Sequence, residues 1–170
     1  MHHANHYLND AESCYTSKPR DYNRVEQEFK QIDHAFAWCQ GSSPEHTIKF
    51  TFYMDDFLRI RGRTAILRKW LKSALDAAEV TGNEHSKAIV LKSLGNLEFQ
   101  LDNVDLARQH FENALPLYEI ASFQLGKANV LHSLGDLELR LGNVDLHASI
   151  SRTPCPCTRP VAANLAKPTC

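Results

Sequence analysis

Nowhere in its 170 residues does this chain string together the roughly 18 apolar residues that a membrane-spanning helix needs. Charge of one sign is missing too. The formal net charge is −1, so nothing in the balance draws the chain to nucleic acid or to an anionic bilayer. The opening MHHANHYLNDAESC has neither the basic stretch nor the apolar run of a secretory signal, and a cytoplasmic location is the expectation. No GxxxxGK[ST] loop, HExxH pair or nucleophile–base–orienter set is present, so neither an enzyme nor a cofactor is expected. Five cysteines do not make a disulfide framework. Cys14 and Cys39 fall in amphipathic stretches, where a free thiol packs as a small hydrophobe. Valine/isoleucine-rich alternation is absent, which leaves no candidate strand and points to an all-α chain.

What the chain does have is a repeat. Lys87–Leu106 reads KAIVLKSLGNLEFQLDNVDL and Lys127–Leu146 reads KANVLHSLGDLELRLGNVDL, identical at fourteen of twenty positions and forty residues apart. Self-similarity at such a period marks a helical solenoid, which builds a surface and not a reaction centre.

The rest reads as helices between breakers. A short helix over 4–14, with Tyr7 and Leu8 apolar, ends at Lys18-Pro19. A second, over 21–39, carries the stripe Val25, Phe29, Ile32, Phe36 and Cys39; Asp21 caps it and Gly41-Ser-Ser-Pro stops it. A third, over 44–60, turns Phe50, Tyr53, Met54, Phe57 and Leu58 inward. A fourth, over 64–80, carries Ile66, Leu67, Trp70, Leu71, Ala74, Leu75 and Ala78 and stops at Thr81-Gly82-Asn83. Lys87–Leu101 draws its buried residues from Ala88, Leu91, Leu94, Leu97, Phe99 and Leu101, and turns at Asp102-Asn103. Val104–Ala121 buries Leu106, Ala107, Phe111, Ala114, Leu115 and Tyr118, and Gly126–Leu141 follows.

Leu94-Gly95, Ala107, Phe111 and Ala114 resemble the tetratricopeptide repeat at its Leu-Gly, Ala, Phe and Ala positions. Leu91, Glu98 and Glu119 stand where its Trp, Tyr and Pro usually do. The resemblance covers about 50–146 and implies antiparallel helix pairs stacked in a right-handed solenoid. Its packing positions here are Leu91, Leu94, Gly95, Ala107, Phe111, Ala114, Leu131, Leu134 and Gly135, the small ones letting helices approach closely. The implied division is a helical pair at 1–43, a diverged repeat at 44–83, a repeat at 84–123, the first helix of another at 124–146, and a tail at 147–170. EQEFKQIDHAFAWC with FLRIRGRTAILRKWLKSALDAA is similar, over about 5–80, to the entry into the repeats of bacterial signalling ATPases that pair a nucleotide-binding domain with a winged helix.

After Leu146 the repeat stops abruptly. HASISRTPCPCT stands where ARQHFENALPLY of Ala107–Tyr118 is due. If His147–Thr158 are written as codons and read one nucleotide earlier, third bases exist that spell ARQHFENALPLY residue for residue. Ala163–Cys170 likewise spells Gln124–Val130. One lost nucleotide near the Leu146 codon accounts for both, so the parent array is expected to continue and the tail, with Pro154, Pro156, Pro160 and Pro168, to be unstructured. Without its partner helix, Gly126–Leu141 would leave Leu131, Leu134, Leu137 and Leu141 partly exposed, an uncapped end through which the chain could self-associate.

Other constellations have blander readings. Cys155, Cys157, Cys170 and His147 have metal-like spacing, but the shifted frame explains them. His2, His3 and His6 read as a polar N-terminus, and Asp55-Asp56 as a solvated helix face. The cluster Arg59, Arg61, Arg63, Arg68 and Lys69 could meet phosphate or an acidic peptide, or pair with Asp55, Asp56 and Asp76 on neighbouring turns. Trp38 and Trp70 read as core or helix-contact residues. The expectation is a non-catalytic module that binds a protein or peptide on its first-helix surface, at Asn96, Phe99, Gln100, Asp136 and Arg140; the alternative is the sensor arm of a signalling ATPase.

Overall fold

The computed structural model describes residues 2–17 and 20–143, with side chains from residue 5. The Lys18-Pro19 break, the side chains of His2 and His3, and every expectation for residues 144–170 lie outside what the structure describes. Seven helices and no strand occur among them: α1 His2–Thr16, α2 Tyr22–Ser42, α3 Pro44–Ile60, α4 Thr64–Thr81, α5 Glu84–Gln100, α6 Val104–Ile120 and α7 Gln124–Arg140. From α3 onward each packs on the next; α1 leans on both α2 and α3, and the first helices α3, α5 and α7 also touch in turn.

The forty-residue period is two twenty-residue steps, and the turns set the pace. Residues 62, 82, 102, 122 and 142 all have positive φ (+68°, +62°, +62°, +54° and +79°). At each turn the following N–H donates back five residues: Arg63 to Leu58 O (2.8 Å), Asn83 to Ala78 O (3.1 Å), Asn103 to Glu98 O (2.9 Å), Phe123 to Tyr118 O (3.0 Å) and Asn143 to Glu138 O (2.9 Å). This Schellman closure satisfies carbonyls that a helix end leaves open, and its left-handed residue reverses the chain. Three of the five turns use glycine there. Asp102 and Ser122 hold the conformation against the steric cost of a Cβ. Ser122→Gly is therefore expected to raise the unfolding free energy by about 0.5–1 kcal/mol, the relief of αL strain exceeding glycine's extra unfolded-state entropy. Urea denaturation measures it, and a lower midpoint would refute the strain.

Asp21 caps α2, accepting the Arg24 N–H at 3.1 Å. Asn83 caps α5 through the Ser86 N–H at 2.9 Å, which starts α5 at Glu84, a turn before the repeated Lys87. The α2 stripe of Val25, Phe29, Ile32, Phe36 and Cys39 is buried as its spacing predicts. Phe36 stacks on Trp70 of α4 at 3.8 Å and 7°. α5 divides two cores. Val90, Leu94 and Leu97 join the cluster running from α1 to α4, whereas Ala88 and Leu91 join the one shared with α6 and α7.

Several expectations are corrected. Trp38 is 46% exposed and Leu106 48%, because each sits about one residue, some 100°, off its helix's buried stripe. Leu101 falls in a turn and is exposed, whereas Leu141, also in a turn, is exposed as its place predicts. Leu134 and Leu137 are buried, because they face back into the core beside α5 and α6; Leu131 is half-buried. Tyr53, Ile66, Leu75, Leu115 and Phe99 are half-buried. Proline stands inside α6 at Pro116, on its exposed side.

Candidate functional site

A helix repeats its faces every three to four residues, so equivalent residues of α3, α5 and α7 form parallel rows on the first-helix surface. On α5 the row is Ser86, Ile89, Ser93, Asn96 and Gln100; on α7 it is Gly126, Asn129, Ser133, Asp136 and Arg140. The five expected partner-binding residues lie on or beside these rows. Asn96 and Asp136 are half-buried; Asn96 makes no side-chain hydrogen bond among the described residues, and Asp136 lies 3.7 Å from His132 Nε2. The other three tie neighbouring first helices together. Gln100 Oε1 accepts from Arg59 Nη1 at 2.9 Å. Arg140 donates to Phe99 O at 3.1 Å, pairs with Asp102 at 2.5 Å and lies 4.9 Å from the Phe99 ring centroid.

Of the expected packing residues, Leu91, Ala107, Phe111, Ala114 and Leu134 share the second core cluster and Leu94 belongs to the first. Gly95 and Gly135 are buried. A Cβ on Gly95 would stand 2.5 Å from Phe111 Cε1, which is how closely α5 and α6 meet.

Between α1, α3 and α5 lies a cleft of about 360 Å³. Tyr15 of α1 and Phe52 and Tyr53 of α3 form an aromatic wall, ring centroids 5.3–5.6 Å apart, with Phe52 44% exposed. Ile89 and Val90 of α5 face it, and Lys49, Asp55, Asp56 and Lys92 supply charge. Asp55 corrects the solvated-face expectation. Burial pushes its carboxyl up, against the opposing pull of Arg59 Nη2 at 2.8 Å and the Ser93 hydroxyl at 3.3 Å. Asp56 pairs with Arg20. Arg61 and Arg63 both pair with Glu26, and Arg63 also covers the Phe29 ring at 4.1 Å. Of the expected acids, then, only Asp55 partners the basic cluster.

The remaining arginine of that cluster, Arg68, belongs to a device that no local pattern announces. Its Nε and Nη2 grip both oxygens of buried Glu98 at 2.8 Å each, and Asn103 Nδ2 donates to the same carboxylate at 2.7 Å. Forty residues on, Arg108 pairs with buried Glu138, to which Asn143 Nδ2 donates at 2.9 Å. Each clamp ties the second helix of one pair to the first helix and turn of the next. Asn103 thus spends its amide on the clamp, whereas Asn83 uses its side chain as a helix cap. The signal was present in the sequence, since Arg68/Arg108, Glu98/Glu138 and Asn103/Asn143 all recur at forty.

Burial alone would raise Glu98's carboxyl, but the Arg68 and Asn103 hydrogen bonds outweigh it and hold the group below the ordinary range. At Glu138 the Asn143 hydrogen bond leads, burial opposes it, and Arg108 completes the lowering. A carboxyl lowered on folding contributes stability that is complete above its unfolded value and lost as pH falls through its folded one. The urea midpoint is therefore expected to fall below about pH 4.5, near the unfolded glutamate value, with Glu98→Gln showing a shallower acid limb than the parent. Equal limbs would refute the assignment. His110 lies beside the first clamp with its Nδ1 buried and unpartnered, and burial lowers its pKa.

No helix among the described residues is long and apolar enough to cross a membrane. No family model matches the chain, and no curated protein matches it. Among solved structures it is similar to the apo form of RapI, a helical repeat protein, with a TM-score of 0.65 at 16% sequence identity. The match covers 85% of this chain and 41% of RapI, so the chain spans less than half of that protein's length. Stacked helix pairs are thus a fold the two share.

Proposed function

We propose that the chain is a non-catalytic interaction module that holds a protein or peptide segment on the surface of α3, α5 and α7. One observation carries this: the aromatic-walled cleft opens on that surface and leaves Phe52 44% exposed, whereas Phe36, Phe50, Phe57 and Phe111 are sealed at 1% or less. An exposed ring beside a formed cleft is what a recognition site offers a partner. Segment 44–83 acts as a diverged tetratricopeptide-like repeat, 84–123 as a repeat and 124–146 as the first helix of a further one, and Asn96 and Asp136 extend the contact row beyond the cleft. A photo-crosslinking amino acid at position 96, on that surface, is expected to trap a protein partner in cells. The same group at exposed Gln109 of α6 serves as the control. Equal trapping at both sites would refute the surface assignment.

A second reading, the sensor arm of a signalling ATPase, draws support from the packing of the two segments that carry that resemblance: they meet at the Phe36–Trp70 stack. Coding DNA upstream that specifies a phosphate-binding loop would support it, and its absence would remove it. Both readings place the chain within a longer array, whose open end is where self-association would occur. DNA across the Leu146 codon tests that array, and bases unable to spell ARQHFENALPLY would exclude it.

A further inference from the structure

The two sides of the cleft are built to different rules, and the repeat numbering shows how. On α3 the positions facing it carry Lys49 and Phe52; the equivalent positions forty residues on, on α5, carry Ile89 and Lys92. Ammonium and apolar groups therefore alternate across the groove, each lysine diagonal to the other. The next step of the array does not repeat the pattern, because Asn129 and His132 occupy those positions on α7. The third wall, Tyr15, comes from α1, outside the repeats. Among the described residues this site occurs at one step only.

Its charges are not equally available. Asp55 is held by Arg59 at 2.8 Å and by the Ser93 hydroxyl, and Asp56 is held by Arg20. The Arg20 guanidinium also lies 4.4 Å from the Tyr15 ring centroid, so the aromatic face that would attract a partner's cation is already covered. Lys49 and Lys92 enter no ion pair among the described residues. The acids of the cleft are spent and its two ammonium groups are not, which leaves a positive site around an apolar floor. At about 360 Å³ the cleft is within the size range of sites that take a compact ligand group.

We propose that this cleft anchors an acidic partner segment, which buries one apolar side chain against Tyr15, Phe52 and Ile89 and sets a carboxylate between Lys49 and Lys92. The proposal rests on the interaction-module reading and narrows it to a place and a chemistry. A basic or purely apolar segment would leave both lysines uncompensated beside its anchor, and charge complementarity discriminates against it.

Phage-displayed random dodecapeptides panned on the full chain test this. The enriched sequences should pair a Leu, Phe or Trp with an Asp or Glu within about one helical turn or two extended steps. A synthetic peptide of that consensus, followed by fluorescence anisotropy, should bind about five- to tenfold more weakly to Lys49→Glu and to Lys92→Glu, and should weaken as salt rises. Phe52→Ala should weaken it comparably, whereas Lys69→Glu, on α4 away from the cleft, should not. All are side chains with partial or full solvent access, and thermal melts check that each variant folds. Enrichment of basic or acid-free peptides, or binding insensitive to both lysine reversals, overturns the proposal. Peptides that bind but respond only to substitutions at Asn96 or Asp136 overturn the cleft and leave the interaction module standing. No enrichment on a folded chain overturns both.

Discussion

Arg68→Ala is expected to lower the unfolding free energy by about 2–4 kcal/mol. Removing one member of a buried ion pair typically costs about 3–5 kcal/mol, because the remaining charge stays desolvated and unpaired. Here the discount is modest. The Arg68 side chain is 37% exposed and water can reach its place, but the Glu98 side chain is only 5% exposed and would keep just the Asn103 amide. The diagnostic result is the double variant Arg68→Met with Glu98→Leu, which should recover most of the loss, since replacing a whole buried pair by apolar groups is often neutral. The chain already contains that solution. Forty residues before Glu98, near the end of α3, stands Leu58, fully buried and with no clamp at its turn. Denaturant titrations of the four proteins close the cycle. If Arg68→Ala and the double variant lose the same stability, the carboxylate is not the reason for the loss.

Gly95→Ala is expected to cost about 1–3 kcal/mol, although alanine is the better helix former by roughly 1 kcal/mol. The new methyl would lie 2.5 and 2.6 Å from two carbons of the Phe111 ring, and Phe111 is fully buried with nowhere to swing. The helices must part or the ring must leave its rotamer. Gly41→Ala supplies the contrast. Gly41 lies in α2 with nothing within 4 Å of its would-be Cβ, so the same substitution should stabilise by up to about 1 kcal/mol. Adding Phe111→Leu to Gly95→Ala should restore part of the loss. Thermal or urea unfolding reads all three, and a stabilising Gly95→Ala would mean that α5 and α6 are not in contact there.

Helix existence and order were legible because they depend on nearest-neighbour chemistry. The α2 stripe needs only its three- and four-residue spacing, and the turns at Gly62, Gly82 and Gly142 need only a residue that tolerates positive φ. Trp38 and Leu106 were misjudged by type when their register, one residue off a stripe, already placed them outside. Asn96 and Asp136 were reachable by the same register, since both fall on first-helix rows. The cleft was not. Tyr15, Phe52 and Ile89 are separated by 37 residues each, and no local pattern says that α1 will close one side of the groove between α3 and α5.

By itself, then, the sequence determined an all-α chain, seven helical segments in order, and a forty-residue period, because each follows from local backbone preference and apolar spacing. Only the tertiary structure decided which charges are spent. The acid nearest to Arg68 in the sequence is Asp76, eight residues on, yet the guanidinium took Glu98, thirty residues away. A long flexible cation pairs with whatever carboxylate the packing of α4 on α5 has buried beside it, because that is where an unpaired charge would cost most. The same packing decided which lysines remain for a partner.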